Sequence, residues 1–149
     1  MEVTNRMNEQ SKTLEVLLVE PGKQPQMTTI GGDLKSLQDA VGGSIEAAYF
    51  FEDVVLVCNE EGKNLGLPLN RSIRDENEKP FEIIAGTFFL CGMGEEDFCS
   101  LPKELQMKYE DKFKQPEAFL RTDKGIMIVP IDPAPKEPKK AKTSPQMGR

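Results

Sequence analysis

The stretch V-C-N-E-E-G-K-N-L-G-L-P-L-N-R at residues 57–71 decides how this chain is organised. It packs three Asn, two Glu, two Gly, one Pro and one Arg into a short run between apolar segments. Residues 54–59 around its start, apolar except for Asn59 and half of them β-branched, predict a central strand, and Gly62 suits the turn that follows. The run holds more polar and turn-forming side chains than a plain hairpin requires, so it is the first candidate for a binding site.

Apolar runs before this stretch predict three further strands. Residues 14–20 and 26–30 are predicted to form a hairpin around the turn pair at residues 21–22, a Pro followed by a Gly. Residues 44–50 are predicted to form the third strand, which immediately precedes the central one.

The segments after the stretch end in the most apolar run of the chain. Residues 64–69 are predicted to be a short apolar return, and residues 72–79 a charged loop. Residues 81–92, F-E-I-I-A-G-T-F-F-L-C-G, are then predicted to form one long strand that is buried on both faces. Gly86 in its middle indicates a bulge or a close approach of another backbone.

Two helices and a late hairpin complete the predicted elements. Asp33 is a suitable N-cap for a helix over residues 34–41, which Gly42 would end. Ser100 is the predicted N-cap of a second helix that ends before Pro116. Its apolar stripe consists of Leu101, Leu105, Tyr109 and Phe113. After it, residues 118–120 and 126–131 flank a turn and are predicted to form a hairpin or an extra edge strand.

The order of these elements predicts the fold class. Because the strands come in hairpin-like pairs, we expect an α+β fold with a mainly antiparallel sheet of about five strands and two helices packed on one face. Along the chain we expect a disordered N-terminus at residues 1–12, a single α+β domain at residues 13–132 and a basic, disordered tail at residues 133–149.

The charge of the chain is unevenly distributed. The formal net charge is −6, the tail carries +4, and residues 1–132 therefore carry −10. An acidic body repels phosphates, which argues against nucleic-acid binding by the body. The tail is interpreted as solvated, with contact to nucleic acid or an acidic partner as the alternative. Because no apolar run approaches the ~20 residues of a membrane helix and no secretory signal is present, we expect a cytoplasmic protein with no membrane partner.

The residues of common catalytic chemistry are scarce. Without His, the usual acid–base and triad arrangements are missing, so we predict a protein that is not an enzyme and uses no cofactor. Cys58, Cys91 and Cys99 lack the C-x-x-C spacing, and no metal is expected. An enzyme that uses carboxylates and a divalent ion stays open as an alternative. Its candidate ligands are Glu60, Glu61, Glu95, Glu96 and Asp97.

Asn59, Asn70 and Arg71 are the residues of the opening stretch that most suggest a ligand. Two carboxamides and a guanidinium beside a buried strand can recognise a small polar or phosphorylated molecule. The alternative is structural, because an Asn at a strand end can close a turn and Arg71 can pair with a Glu. Phe50 and Phe51 are expected in the core, although an exposed Phe can anchor a partner, which leaves a homodimer open.

Four segments of the chain resemble a known family. They read V-G-G-S-I-E-A at 41–47, C-N-E-E-G-K-N-L-G-L-P-L-N-R at 58–71, I-I-A-G-T-F at 83–88 and G-M-G-E-E-D-F at 92–98. Their order and spacing resemble a family of small domains of unknown function that is carried by bacteriophages and integrative mobile elements. The similarity spans most of the predicted domain and excludes the N-terminus and the basic tail.

The resemblance implies a genomic setting in which small proteins often act by binding. It favours a non-enzymatic, counter-defence protein in the cytoplasm of a host cell that sequesters a small, nucleotide-derived ligand. We expect Arg71 to meet phosphate and the Asn59 and Asn70 amides to read base or ribose, beside the backbone of Gly86 and Thr87. The alternative partner is a host defence protein, inhibited through an acidic surface that imitates nucleic acid.

Overall fold

The computed structural model describes residues 12–133, which form two helices and ten strands. The helices are α1 (Leu34–Val41) and α2 (Lys103–Phe113). The strands are β1 (Thr13–Val19), β2 (Gln26–Gly31), β3 (Ile45–Ala48), β4 (Val55–Asn59), β5 (Leu69–Arg74), β6 (Pro80–Ala85), β7 (Phe88–Met93), β8 (Phe98–Cys99), β9 (Glu117–Thr122) and β10 (Gly125–Pro130). The predictions for residues 1–11 and 134–149 lie outside the described residues.

Six strands form the main sheet, in the order β2-β1-β7-β4-β3, with the short β8 paired to β7. All of these pairings are antiparallel. The central strand is β7, where Leu90 lies opposite Leu17 of β1 on one side and Leu56 of β4 on the other. The predicted α+β class and antiparallel pairing are confirmed, whereas the sheet contains more strands than expected.

The main sheet buries apolar side chains on both faces. Strands β4 and β7 are almost wholly buried, and their alternate residues point to opposite faces. The core on one face includes Tyr109 and Phe113 of α2, and the core on the other includes Leu37 and Val41 of α1. The buried residues of the two helices thus belong to different cores, which differs from the predicted arrangement with both helices on one face.

The predicted single strand at residues 81–92 is wrong, because Gly86 divides it into β6 and β7. Gly86 has φ +86° and its N–H donates to the carbonyl of Pro68 at 2.7 Å. A Cβ at this position would lie 2.8 Å from Cδ1 of Leu67. Both the positive φ and the close approach require Gly, and together they turn the chain from one sheet into another.

The segment predicted as a charged loop at residues 72–79 begins as a strand. Residues Leu69–Arg74 form β5, which pairs with β6 in a separate antiparallel hairpin, and the loop is confined to the turn before Pro80. Ile73 of β5 and Ile84 of β6 are buried against the same face of the main sheet as α2. The strand was missed because its buried residues include Asn70, Arg71 and Ser72, whose polarity hides the apolar pattern.

The first helix agrees with its prediction, and the second begins later than expected. Asp33 accepts the Ser36 N–H at the start of α1, and Gly42 ends it with φ +81°. The predicted N-cap role of Ser100 is wrong, since Pro102 stands at the N-cap of α2. The Ser100 hydroxyl instead accepts the Glu15 N–H at 2.9 Å and ties this loop to β1.

The predicted late hairpin is confirmed, and it is longer than expected. Strands β9 and β10 pair antiparallel, with Arg121 opposite Ile126 and Phe119 opposite Ile128. These four side chains share one face of the hairpin, because directly opposite residues point to the same side. This face is turned toward the β5–β6 hairpin, where it helps to form the groove described below.

Candidate functional site

Arg71 is 1% exposed, and its guanidinium is the centre of a buried polar cluster. Nε and Nη2 donate to the carbonyl of Phe113 at 3.0 and 2.8 Å, and Nη2 also donates to the carbonyl of Lys23 at 2.6 Å. Nη1 donates to the side-chain and backbone oxygens of Asn70 at 2.9 and 3.4 Å. These bonds use all the donor capacity of a guanidinium. Arg71 therefore ties the last residue of α2 to the turn between β1 and β2.

The charge of Arg71 is balanced by dipoles. The Phe113 carbonyl lies at the C-terminal end of α2, where the helix dipole is negative. Burial lowers the pKa of Arg71 to about 10, and the charge of Glu117 acts in the opposite direction, so the guanidinium is protonated at neutral pH. With its N–H groups all bonded inside the fold, Arg71 has a structural role here, and a ligand phosphate would have to displace one of these carbonyls.

Asn70 and Gly86 belong to the same cluster. The Asn70 amide nitrogen donates to the carbonyls of Gly86 and Val19 at 2.8 and 2.9 Å, while its oxygen accepts from Arg71. Thr87 follows Gly86 at the corner between β6 and β7 and is half-buried. The structure thus brings Asn70, Arg71 and Gly86 together, with Thr87 next to them in the chain, but the side chains of Asn70 and Arg71 bond to the fold and to each other.

Asn59, the fifth predicted residue, lies apart from this cluster at the end of β4. Its amide nitrogen donates to the carbonyl of Val41, the last residue of α1, at 3.2 Å. Its oxygen accepts the Glu61 N–H at 2.8 Å and so closes the turn after β4. Asn59 also lines a surface cleft.

A larger groove lies between the β5–β6 hairpin and the β9–β10 hairpin. We call it the hairpin groove, and its volume is about 710 Å³. The walls include Lys63, Phe81, Ile83, Arg121, Ile126 and Ile128. Phe81 is 56% exposed, and its ring packs edge-to-face on Phe50 at 5.7 Å between centroids. The groove therefore presents an exposed aromatic ring, branched aliphatic side chains and cationic groups to one space.

A second, smaller cleft adjoins the hairpin groove. It has a volume of about 290 Å³ and shares Lys63, Glu82 and Ile83 with the groove. We call it the acidic cleft, because Glu46 and Glu60 also line it. Lys63 and Glu82 form an ion pair of 2.6 Å at the junction. This pair separates the mostly apolar groove from the carboxylates of the cleft.

Glu117 fixes the β9–β10 hairpin against β5. Its carboxylate accepts the N–H of Ser72 at 2.7 Å and the Ser72 hydroxyl at 3.1 Å. Arg74 donates to the same carboxylate at 3.2 Å, and the Glu117 side chain is only 13% exposed. One largely buried carboxylate thus holds the wall of the hairpin groove formed by β9–β10 in place.

The remaining side chains that could take part in chemistry are either buried or not grouped together. Burial raises the pKa of Cys58 to about 11 and that of Cys91 to about 12, so both thiols stay protonated at neutral pH. Among residues 12–133, no three Cys, Asp or Glu side chains are grouped so that they could hold a metal ion. No helix in that range is both long and apolar enough to cross a membrane.

Sequence reasoning did not identify the residues that form the hairpin groove. Phe81 falls in the run predicted to be a buried strand, although its side chain is 56% exposed. The predicted late hairpin contains Arg121, Ile126 and Ile128. Its position beside β5, fixed by Glu117, depends on a tertiary contact that the sequence does not reveal. The sequence signal that points to the groove is the run of apolar residues after the second helix. A hairpin that only faces solvent does not need so many apolar side chains.

The fold and the groove define a small α+β domain with a surface cavity of ligand size. A family model described as "Domain of unknown function (DUF3846)" matches residues 13–114, so the chain belongs to this family. Nothing matches among curated proteins or among solved structures. The β9–β10 hairpin lies beyond the end of the family match.

Proposed function

We propose that this protein is a non-enzymatic binding protein that holds a small, nucleotide-like ligand in the hairpin groove. The observation that carries the proposal is the groove itself, which has a volume of about 710 Å³ and is lined by the exposed Phe81, two isoleucines and the cation Arg121. Ligand pockets are typically about 300–1,000 Å³ in volume and combine apolar walls with few polar groups.

Each part of such a ligand has a counterpart in the groove. A flat base packs on an exposed aromatic ring, and Phe81 offers one. A phosphate suits a guanidinium, which Arg121 supplies from the opposite wall. Asn59, in the adjoining acidic cleft, is assigned no contact with the ligand, because both ends of its buried amide are already bonded to Val41 and Glu61. This proposal keeps the ligand class expected from the sequence and moves the phosphate contact from Arg71 to Arg121.

The biological setting is proposed from the motif resemblance described above. In a bacteriophage or an integrative mobile element, a protein that sequesters a signalling nucleotide would act against a host defence. Such a protein needs affinity and no turnover, which suits a chain without His.

Isothermal calorimetry with a panel of cyclic and ADP-ribose-type nucleotides tests the proposal. We expect at least one ligand to bind at micromolar concentration and to be recovered chemically unchanged. Phe81→Ala should weaken that binding roughly tenfold, since aromatic–base stacking contributes about 1–3 kcal/mol. Tyr49→Ala is the matched control, because Tyr49 is also an exposed aromatic residue, 64% exposed, and lies outside the groove. Absence of binding across the panel would overturn the proposal.

A protein inhibitor with an acidic surface is the second candidate. The observation that favours it is the exposure of the acidic side chains in three loops, at residues 60–61, 75–78 and 95–97. A complex formed through these groups should weaken steeply as salt is added. Capture of a host nuclease that is insensitive to salt would count against it.

A further inference from the structure

The hairpin groove has two walls of different origin. Lys63, Phe81 and Ile83 belong to the segment that matches the family, whereas Arg121, Ile126 and Ile128 belong to the β9–β10 hairpin beyond it. We propose that this hairpin sets the ligand class of the groove, and that the class is a nucleotide-like molecule with one flat base and a single negative charge. The inference rests on the proposed function and specifies its ligand.

The charges of the groove provide the first argument. Lys63 is neutralised by Glu82 at 2.6 Å, and the Glu82 carboxylate also accepts the Ile83 N–H at 2.8 Å. Arg121 lines the groove and forms no ion pair with a carboxylate of residues 12–133. The described walls therefore offer one uncompensated positive charge, which one anionic group of a ligand satisfies.

The position of further carboxylates provides the second argument. Beyond the Lys63–Glu82 pair, the adjoining acidic cleft carries Glu46 and Glu60. A ligand with a second or third negative charge would bring that charge toward Glu82 or these two residues, where like charges repel. A polyphosphate is therefore disfavoured relative to a monoanion of similar shape.

The register of the hairpin provides the third argument. Ile126 lies directly opposite Arg121, so the cation and an aliphatic side chain stand side by side on the groove face. Ile128 follows two residues later on the same face of β10. The anionic group and the flat base of the ligand would thus be recognised by adjacent residues of one hairpin.

A ladder of adenine ligands with increasing charge tests the inference by calorimetry. Adenosine is neutral, cyclic AMP carries one negative charge, AMP about two and ADP about three at neutral pH. We expect cyclic AMP to bind most tightly, with AMP and ADP several-fold weaker. Arg121→Gln should weaken cyclic AMP roughly tenfold, to the level of adenosine, and leave adenosine unchanged.

Two further variants make the result specific to Arg121. Arg121→Lys retains the charge and should retain the preference for cyclic AMP over adenosine. Lys124→Gln removes a cation from the turn of the same hairpin, outside the groove, and should change none of the affinities. Affinity that rises from cyclic AMP to ADP, or a preference that survives Arg121→Gln, would overturn the inference while the proposed function stands. Failure of all four ligands to bind would overturn the inference, and absence of binding across the whole nucleotide panel would overturn the proposed function as well.

Discussion

At the scale of single residues, Arg71 shows how this fold keeps a charge in its interior by hydrogen bonds to neutral oxygens and without a direct ion pair within residues 12–133. Its hydrogen bonds go to three residues, Lys23, Asn70 and Phe113, that belong to a turn, a neighbouring strand position and a helix end. A side chain with fewer N–H donors, or with donors that point in fewer directions, could not bond to all three residues.

We predict that Arg71→Ala lowers the free energy of unfolding by roughly 3 kcal/mol, because several buried carbonyls would lose their donors. Arg71→Lys should recover only part of this loss, since an ammonium cannot span the same acceptors. Arg121→Ala, an exposed arginine, serves as the control and should change stability by less than about 0.5 kcal/mol. Urea unfolding measures all three, and an Arg71→Ala protein as stable as the control would refute the structural role.

A second residue-scale prediction concerns pH. Burial and the hydrogen bond to Asp53 raise the pKa of Tyr109 well above the ordinary tyrosine value of 10.0. The stabilisation from Tyr109 is therefore present below pH 10 and is lost as the pH rises above it, because the unfolded tyrosine ionises first. We expect Tyr109→Phe to reduce stability by about 1 kcal/mol at neutral pH, and the difference from the native protein to vanish near pH ~11.

Urea unfolding at the two pH values checks this expectation, with Tyr49→Phe as the control. Tyr49 is 64% exposed, so its hydroxyl should contribute little at either pH. A difference between native protein and Tyr109→Phe that is the same at both pH values would contradict the proposed cause.

At the scale of elements, the corner at Gly86 decides how the chain divides between the main sheet and the β5–β6 hairpin. Gly86 and Gly42 have nearly the same positive φ, +86° and +81°. They differ in the space available for a side chain. A Cβ at Gly42 would meet no atom within 4 Å, whereas one at Gly86 would meet Leu67 at 2.8 Å.

Alanine substitutions at these two glycines separate the cost of backbone strain from the cost of a steric clash. We predict that Gly42→Ala costs about 1 kcal/mol of stability from its φ alone. Gly86→Ala should cost about 2–3 kcal/mol, since the clash with Leu67 adds to the same strain. Thermal or urea unfolding measures both variants. Equal losses would mean that Leu67 moves away freely and that the corner tolerates a side chain.

The β9–β10 hairpin depends on its attachment to β5, because an isolated two-stranded hairpin is marginally stable in water. We predict that Glu117→Ala speeds hydrogen exchange of the β9–β10 amides roughly tenfold or more and leaves the amides of β7 unchanged. Glu104→Ala, at an exposed position in α2, is the control. Unchanged exchange in the hairpin after loss of Glu117 would show that other contacts hold the groove wall.

At the scale of the whole molecule, local signals predicted most elements and none of the groove. Helix α1 and the β1–β2 hairpin follow from caps, turns and apolar runs, which act over a few residues. Strand β5 and the break at Gly86 were missed because they depend on distant partners: Val19 and Phe113 for the buried polar groups, and Leu67 for the corner. The candidate site shifted for the same reason, since sequence cannot show that the donors of Arg71 are already used.

The central claim is that this molecule acts by holding a ligand between the β5–β6 and β9–β10 hairpins. Chemical-shift mapping by NMR tests this claim most directly. Titration of the native protein with cyclic AMP should shift the amide signals of Phe81, Ile83, Arg121, Ile126 and Ile128, and leave those of α1 unmoved. Signals that move instead around Asn70 and Arg71, with the groove residues unaffected, would contradict the account.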